Sequence, residues 1–389
     1  MKSLATLRGE THAAWRDPAQ ICSQWSDAAA TDARLLESHA SRGWWTLLEQ
    51  LGITLLVTRE YENLVIALSA RRGRPRISYL PMPHPSGMVY DPVRGSVWLA
   101  STRNPNQVYE LKPASEPGAG VPGAARRLGN AHPLIPVASA FYPGNLYLHD
   151  LAMVGGALYG NAVGLNAVVE LRGAGSFRPA WWPRCVELRG KPDFTRNYIQ
   201  LNSIAPGSSL EDSFFTASSV ARERLRPGHL GYPVDKRGAL FSGLTREPVC
   251  TGLTRPHSAR REGEEIWLAN SGYGEVGRCQ GSRFQPVATL PGWTRGLHLQ
   301  ADVAFVGTSR VIERYARYAP GLTAARCICA VHAVCRITGK VLASLDWPAG
   351  NQIFAIESLP DSVTTGFCFE AGKRRTTAER AFFSSYLTN

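Results

Sequence analysis

The chain has 389 residues, 44% of them hydrophobic and 19% charged, which is enough apolar material for a large core and excludes disordered and fibrous proteins. The first residues, MKSLATLRGETHAAWRDP, contain no apolar run of signal-peptide length, and no stretch reaches the ~18 consecutive apolar residues of a membrane helix, so the expectation is a cytoplasmic protein without a membrane partner. The formal charge of +12 is dispersed in ones and pairs (Arg71-Arg72, Arg126-Arg127, Arg260-Arg261, Lys373-Arg374-Arg375) with no recognised binding motif, which argues against nucleic acid and leaves room for a small anionic ligand.

Along the chain, residues 1–52 read as an N-terminal helical segment packed on the rest of the fold. Leu35-Leu36, Trp44-Trp45 and Leu47-Leu48 share one helical face, and Gly52 supplies a stop. From Ile53 the texture changes to short apolar strands cut by Gly, Pro and Asn, among them ITLLVTRE, GSVWLAS, GALYGNAV and EEIWLANSG. One phrase recurs six times: a polar or small pair opens a strand, a tight turn comes next, and a second strand ends in Asn, Ser or Thr. Its openings are His84–Tyr90, Leu148–Ala152, Leu201–Ala205, Pro256–Arg260, Thr294–His298 and Ile353–Glu357, the last ahead of VTTGFCF. Their spacing is that of propeller blades with loop insertions, so residues 53–389 are expected to form a single six-bladed β-propeller, an all-β fold. The Pro/Gly-rich residues 114–129 read as a surface loop.

Eight cysteines, at positions 22, 185, 250, 279, 327, 329, 335 and 368, are scattered as in a reduced protein rather than clustered as in a secreted scaffold. Cys327, Cys329 and Cys335, with His332 among them, lack paired zinc spacing and read as small hydrophobes in a buried strand beginning at Cys327.

The stretch from Arg255 to Arg310, RPHSARREGEEIWLANSGYGEVGRCQGSRFQPVATLPGWTRGLHLQADVAFVGTSR, together with LHDLA, FRPAWWP and LNSIA in order, resembles an uncharacterised bacterial family of conserved hypothetical proteins, a domain of unknown function of propeller type. The resemblance spans roughly residues 45–370 and implies the propeller fold without an activity. The family often has His before the Leu-Asn pair, where this chain has Gln200.

In a propeller the innermost strands run the same way, so the residues that open them gather at one mouth of the central channel. The set gathered in this way is Ser86, His149, Asp150, Asn202, His257, Ser258 and Arg295. Convergent polar groups of this kind are the default site in an unassigned fold. The candidate catalytic set is His149, Asp150, Asn202, His257 and Arg295. His149 and His257 are ligands for one divalent metal ion if a metal is used, and proton-transfer groups if it is not. Arg295, with Arg255 or Arg310, is placed to clamp an anion. Ser86, Asp150 and Ser258 have an equally strong architectural reading as turn and inter-strand hydrogen-bonding residues. His298, three residues beyond Arg295, is expected to point into its blade. The function expected is an enzyme acting on a small anionic substrate at the channel mouth, its reaction class open among lyase, isomerase, hydrolase and group transfer. The alternative is a propeller that binds a ligand or protein without catalysis.

Overall fold

Short strands that are apolar on both faces need sheets above and below them, and the sequence meets that need by stacking sheets in a ring. The computed structural model of the chain describes residues 26–28, 31–102, 106–114 and 132–370, and resolves them into six antiparallel sheets of four or five strands plus one small two-stranded ribbon. The six sheets are the blades of a propeller.

The inner strands, one per blade, are Pro85–Asp91, Leu148–Val154, Leu201–Ala205, Pro256–Glu262, Trp293–Gln300 and Ala355–Pro360. In blades one to five the second strand comes directly after the first in the chain. In blade six it does not. VTTGFCF was the expected partner of the last inner strand, but Ala355–Pro360 pairs with Ile53–Arg59 instead, from the start of the propeller. The ring is thereby closed by strands from both ends of the sequence, which removes the exposed sheet edges that an open ring would leave.

The described part of residues 1–52, expected to be helical, is of mixed structure. It holds helical residues at 26–28, a 3₁₀ turn (Ala33–Leu36), a two-residue strand (His39–Ala40) that becomes the fifth strand of blade five, and the helix Trp44–Leu51. Residues 1–25 lie outside the described residues, as does nearly all of the 114–129 loop. The helix ends where Gly52 turns left-handed (φ 62°) and its N–H caps the Leu48 and Glu49 carbonyls. Its buried face, Trp44 and Leu48, joins Phe305 and Trp347 in the core between blades five and six, with Trp44 edge-on to Phe305 at 6.0 Å.

The seven described cysteines are free thiols, and Cys22 is outside the described residues. The strand expected from Cys327 begins later, at Ala330, because a 3₁₀ turn at Ala324–Arg326 delivers the chain to it. Cys327 and Cys329 are buried, and burial lifts the Cys329 thiol to about 12, which fits hydrophobic packing. No helix among the described residues is long and apolar enough to cross a membrane.

Candidate functional site

Each inner strand in blades one to five begins with a bulge, an extra residue relative to its partner strand within the first five positions. Aligned by register, the second position holds Ser86, His149, Asn202, His257 and Thr294, and the bulge holds Gly87, Asp150, Ser203, Ser258 and Arg295. Arg295 is therefore equivalent to Asp150 and Ser258, one position beyond the histidines and not in line with them.

The bulge residues of blades two to four do one job. Asp150 Oδ2 accepts the Ile204 N–H at 3.1 Å, Ser203 Oγ accepts Ala259 N–H at 2.9 Å, and Ser258 Oγ accepts Gly296 N–H at 2.9 Å. In every case the donor is the fourth residue of the next blade's inner strand, so this circle of bonds staples blade to blade. Ser258 has φ 55°, but the bulge accounts for it, and its hydroxyl is committed to the staple. Asp150 is also paired with Arg260 at 3.1 Å, and burial raises its carboxyl above the ordinary range even against that cation.

A second circle of bonds separates the histidines from their equivalents. Ser86 Oγ donates to the Leu148 carbonyl (3.0 Å) and Asn202 Nδ2 to the Pro256 carbonyl (2.8 Å), so these second-position residues tie their blades to the next. In blades two and four the tie moves to the end of the second strand, where Asn161 Nδ2 donates to the Leu201 carbonyl (2.7 Å) and Ser271 Oγ to the Thr294 carbonyl (2.6 Å). In blade four the tie is thus made by Ser271, whose Oγ also lies 3.0 Å from His257 Nδ1.

Both imidazoles line a cavity of ≈ 420 Å³ together with Arg295, a size suited to a small ligand. Asp150 and Asn202 do not line it. Two long insertions lean over it: residues 218–237 contribute Arg226 and Gly228, and residues 310–329 contribute Arg310 and Tyr318. The insertions meet where Arg317 Nη2 and the Tyr318 hydroxyl donate to the Gly228 carbonyl, at 3.1 and 3.3 Å.

His257 is 4% exposed, and its Nδ1 lies 2.8 Å from the Arg255 carbonyl. A carbonyl can only accept, so Nδ1 carries the proton and Nε2 presents a lone pair. Burial, then the charge of Arg295, hold its pKa well below 6.5, which keeps the ring neutral. His149 packs against Tyr147 (5.3 Å) and edge-on to Phe354 (5.5 Å). The Arg295 guanidinium lies over Phe354 at 3.3 Å from the ring centroid, with its buried Nη2 lacking a hydrogen-bond partner among the described residues. Burial lowers Arg295 to about 10, a value at which it remains a cation at neutral pH.

The residues that precede four of the inner strands share a backbone conformation that the sequence did not reveal, although Gln200 and Arg255 are singled out in it. His84, Tyr147, Gln200 and Arg255 all adopt left-handed backbone, φ 45–55°, and the last three line the cavity. Arg255 does so directly before Pro256, a position biased toward extended backbone, at a cost of about 1–3 kcal/mol. The turn aims its carbonyl at His257, while its guanidinium stacks on Tyr318 at 4.1 Å and donates to Gln200 and to the Pro227 carbonyl. The signal was available in the family resemblance, which already singled out position 200.

Four arginines (226, 255, 295, 310) and one carboxylate, Glu60, line the cavity. This donor set does not suit a divalent cation: guanidinium charge beside His257 repels a metal as it repels a proton, and among the described residues no three His, Cys, Asp or Glu side chains stand together as ligands.

A family described as a domain of unknown function, DUF4915, matches residues 42–366. No curated protein matches the chain. Among solved structures, a chain of the nidogen/laminin complex is 9% identical, with a TM-score of 0.51 over 79% of this chain and 98% of that one. A gluconolactonase from Xanthomonas campestris (10% identical, TM-score 0.44, 77% and 86% covered) and virginiamycin B lyase from Staphylococcus aureus (13%, 0.39, 64% and 72%) are also similar. At these identities the likeness is one of fold.

Proposed function

The chain belongs to the DUF4915 family, and on that premise we propose that it is an enzyme that binds a small anionic substrate in the channel-mouth cavity and moves a proton on it through His257. The observation that carries this reading is the pairing of a neutral imidazole, its tautomer fixed by the Arg255 carbonyl, with the buried and incompletely bonded cation of Arg295 in one cavity. Arg295 supplies charge and a planar fork for a carboxylate or phosphate oxygen. His257 Nε2 accepts a substrate proton, and the depressed basicity of the ring makes the resulting imidazolium a strong acid that readily returns it. His149 shares the cavity as the second proton-transfer candidate. Asp150 and Asn202, by contrast, support the scaffold.

The test is a thermal-shift screen of phosphorylated and carboxylated metabolites on the wild-type protein, with turnover assays on those that bind. A ligand at 100 times its Kd stabilises the fold by about 2.7 kcal/mol. Arg295→Lys should weaken binding by roughly tenfold or more, since a point charge does not reproduce the fork. His257→Asn, which retains a donor near the Nδ1 position, should abolish turnover while binding survives. Binding without turnover in the wild-type protein would favour the non-catalytic alternative, and indifference of binding to Arg295→Lys would remove the assigned anion site.

A further inference from the structure

Away from the cavity, His298 does not point into its own blade as expected. It reaches across to the inner strand of blade six, where its Nδ1 lies 2.9 Å from Glu357 Oε1 and its Nε2 lies 2.7 Å from Ser358 Oγ. A carboxylate can only accept, so Nδ1 carries a proton, and in the neutral ring Nε2 is then the acceptor of the Ser358 hydroxyl. The Ser358 backbone N–H also donates to Glu357 Oε1, at 3.0 Å, which fixes the carboxylate against the ring.

This is the connectivity of a nucleophile, a general base and an orienting carboxylate, recognised by geometry and not by sequence order. We propose that Ser358, His298 and Glu357 form a second reactive centre, a serine nucleophile competent for acyl transfer from small esters, separate from the cavity at the channel mouth. Burial opposes ionisation of Glu357, but His298 and the cation of Arg260 together hold its carboxyl below the ordinary range, so the orienting charge is present. Arg260 is itself anchored by Asp150. Ser358 is 8% exposed and both its partners are partly exposed, so the group is not sealed in the wall.

In the reaction, Ser358 Oγ attacks the acyl carbon as its proton passes to His298 Nε2, and the ester C–O bond breaks. The leaving alkoxide takes the proton from Nε2. Water then attacks the acyl-serine, giving its proton to Nε2, and the acid departs as Ser358 Oγ recovers that proton. No oxidant or metal is required.

The test treats the full chain with diisopropyl fluorophosphate, whose phosphorus is attacked by an activated serine with loss of fluoride, and maps the adduct by mass spectrometry. The expected result is one equivalent of adduct, located on Ser358, absent in Ser358→Ala and formed about 100-fold or more slowly in His298→Ala. Glu357→Gln, which preserves the size of the side chain, should slow labelling as well and guards against misfolding of the His298 variant. Circular dichroism confirms that each variant is folded. Absence of adduct on the folded wild-type protein, adduct confined to other residues, or labelling of Ser358 at an unchanged rate in both partner variants would overturn the proposal and leave the trio as a hydrogen-bonded brace.

Discussion

Blades one and three differ from blades two and four at a single kind of position, and the difference separates scaffold from site. In the first pair, Ser86 and Asn202 spend their side chains on the carbonyl of the next blade. In the second pair, Asn161 and Ser271 make the tie from the neighbouring strand, and the equivalent residues are histidines facing the cavity. The propeller needs a tie at each junction because an unpaired buried carbonyl costs about 1–3 kcal/mol. A polar residue at the second position is therefore explained by architecture unless another residue has taken over the tie. Only then does it point to function.

The largest effect expected from this division is at Asp150. Asp150→Ala removes the staple to Ile204 and leaves Arg260 without its carboxylate, and breaking a buried pair in this way costs about 3–5 kcal/mol. Urea unfolding should record a loss of that order. A change under about 1 kcal/mol would show that the circle of bulge residues is not the scaffold.

A second expectation contrasts the site histidine with one in the wall. His332, hydrogen-bonded to Thr308 Oγ1 at 3.1 Å, is pushed down by burial to about 4, and His257 is lowered as well. With folded-state values below the unfolded 6.5, the unfolded chain takes up protons first as pH falls. Stability from these groups is whole above pH 6.5 and declines toward pH 4, by on the order of 3 kcal/mol for His332. His332→Gln should flatten that part of a stability profile measured between pH 4 and 7, without effect on anion binding at pH 7. An unchanged slope would mean that His332 titrates normally.

A smaller effect is expected at Asn202. Asn202→Ala loses the bonds to Ser218 Oγ and the Pro256 carbonyl, at a cost of about 1–2 kcal/mol, with anion binding retained. Lost binding in a protein of undiminished stability would return Asn202 to the site.

Much of the fold was legible in the sequence because propeller blades repeat their phrasing: the six openings fall on or immediately before the six inner strands. The closure was not. Ile53–Arg59 reads like any apolar strand, and only pairing reveals that it completes the last blade. His149, His257 and Arg295 were legible as polar residues at strand openings, whereas the separation of Asp150 and Asn202 from them was not, because bulges shift register by one residue without leaving a composition signal. Tyr147, and the turn that brings Arg255 to the cavity, were missed for a related reason. Their left-handed backbone, which turns them toward the cavity, falls on residue types that rarely adopt it.

The central claim is that His257 has been freed to present a lone pair to the cavity, and its protonation state tests this most directly. In ¹⁵N-detected spectra of histidine-labelled protein recorded from pH 7 downward, His257 should be neutral with the proton on Nδ1, and it should remain so below pH 6.5, the ordinary value from which burial and Arg295 depress it. A proton on Nε2 at pH 7, or an imidazolium already formed at pH 6.5, would contradict the account.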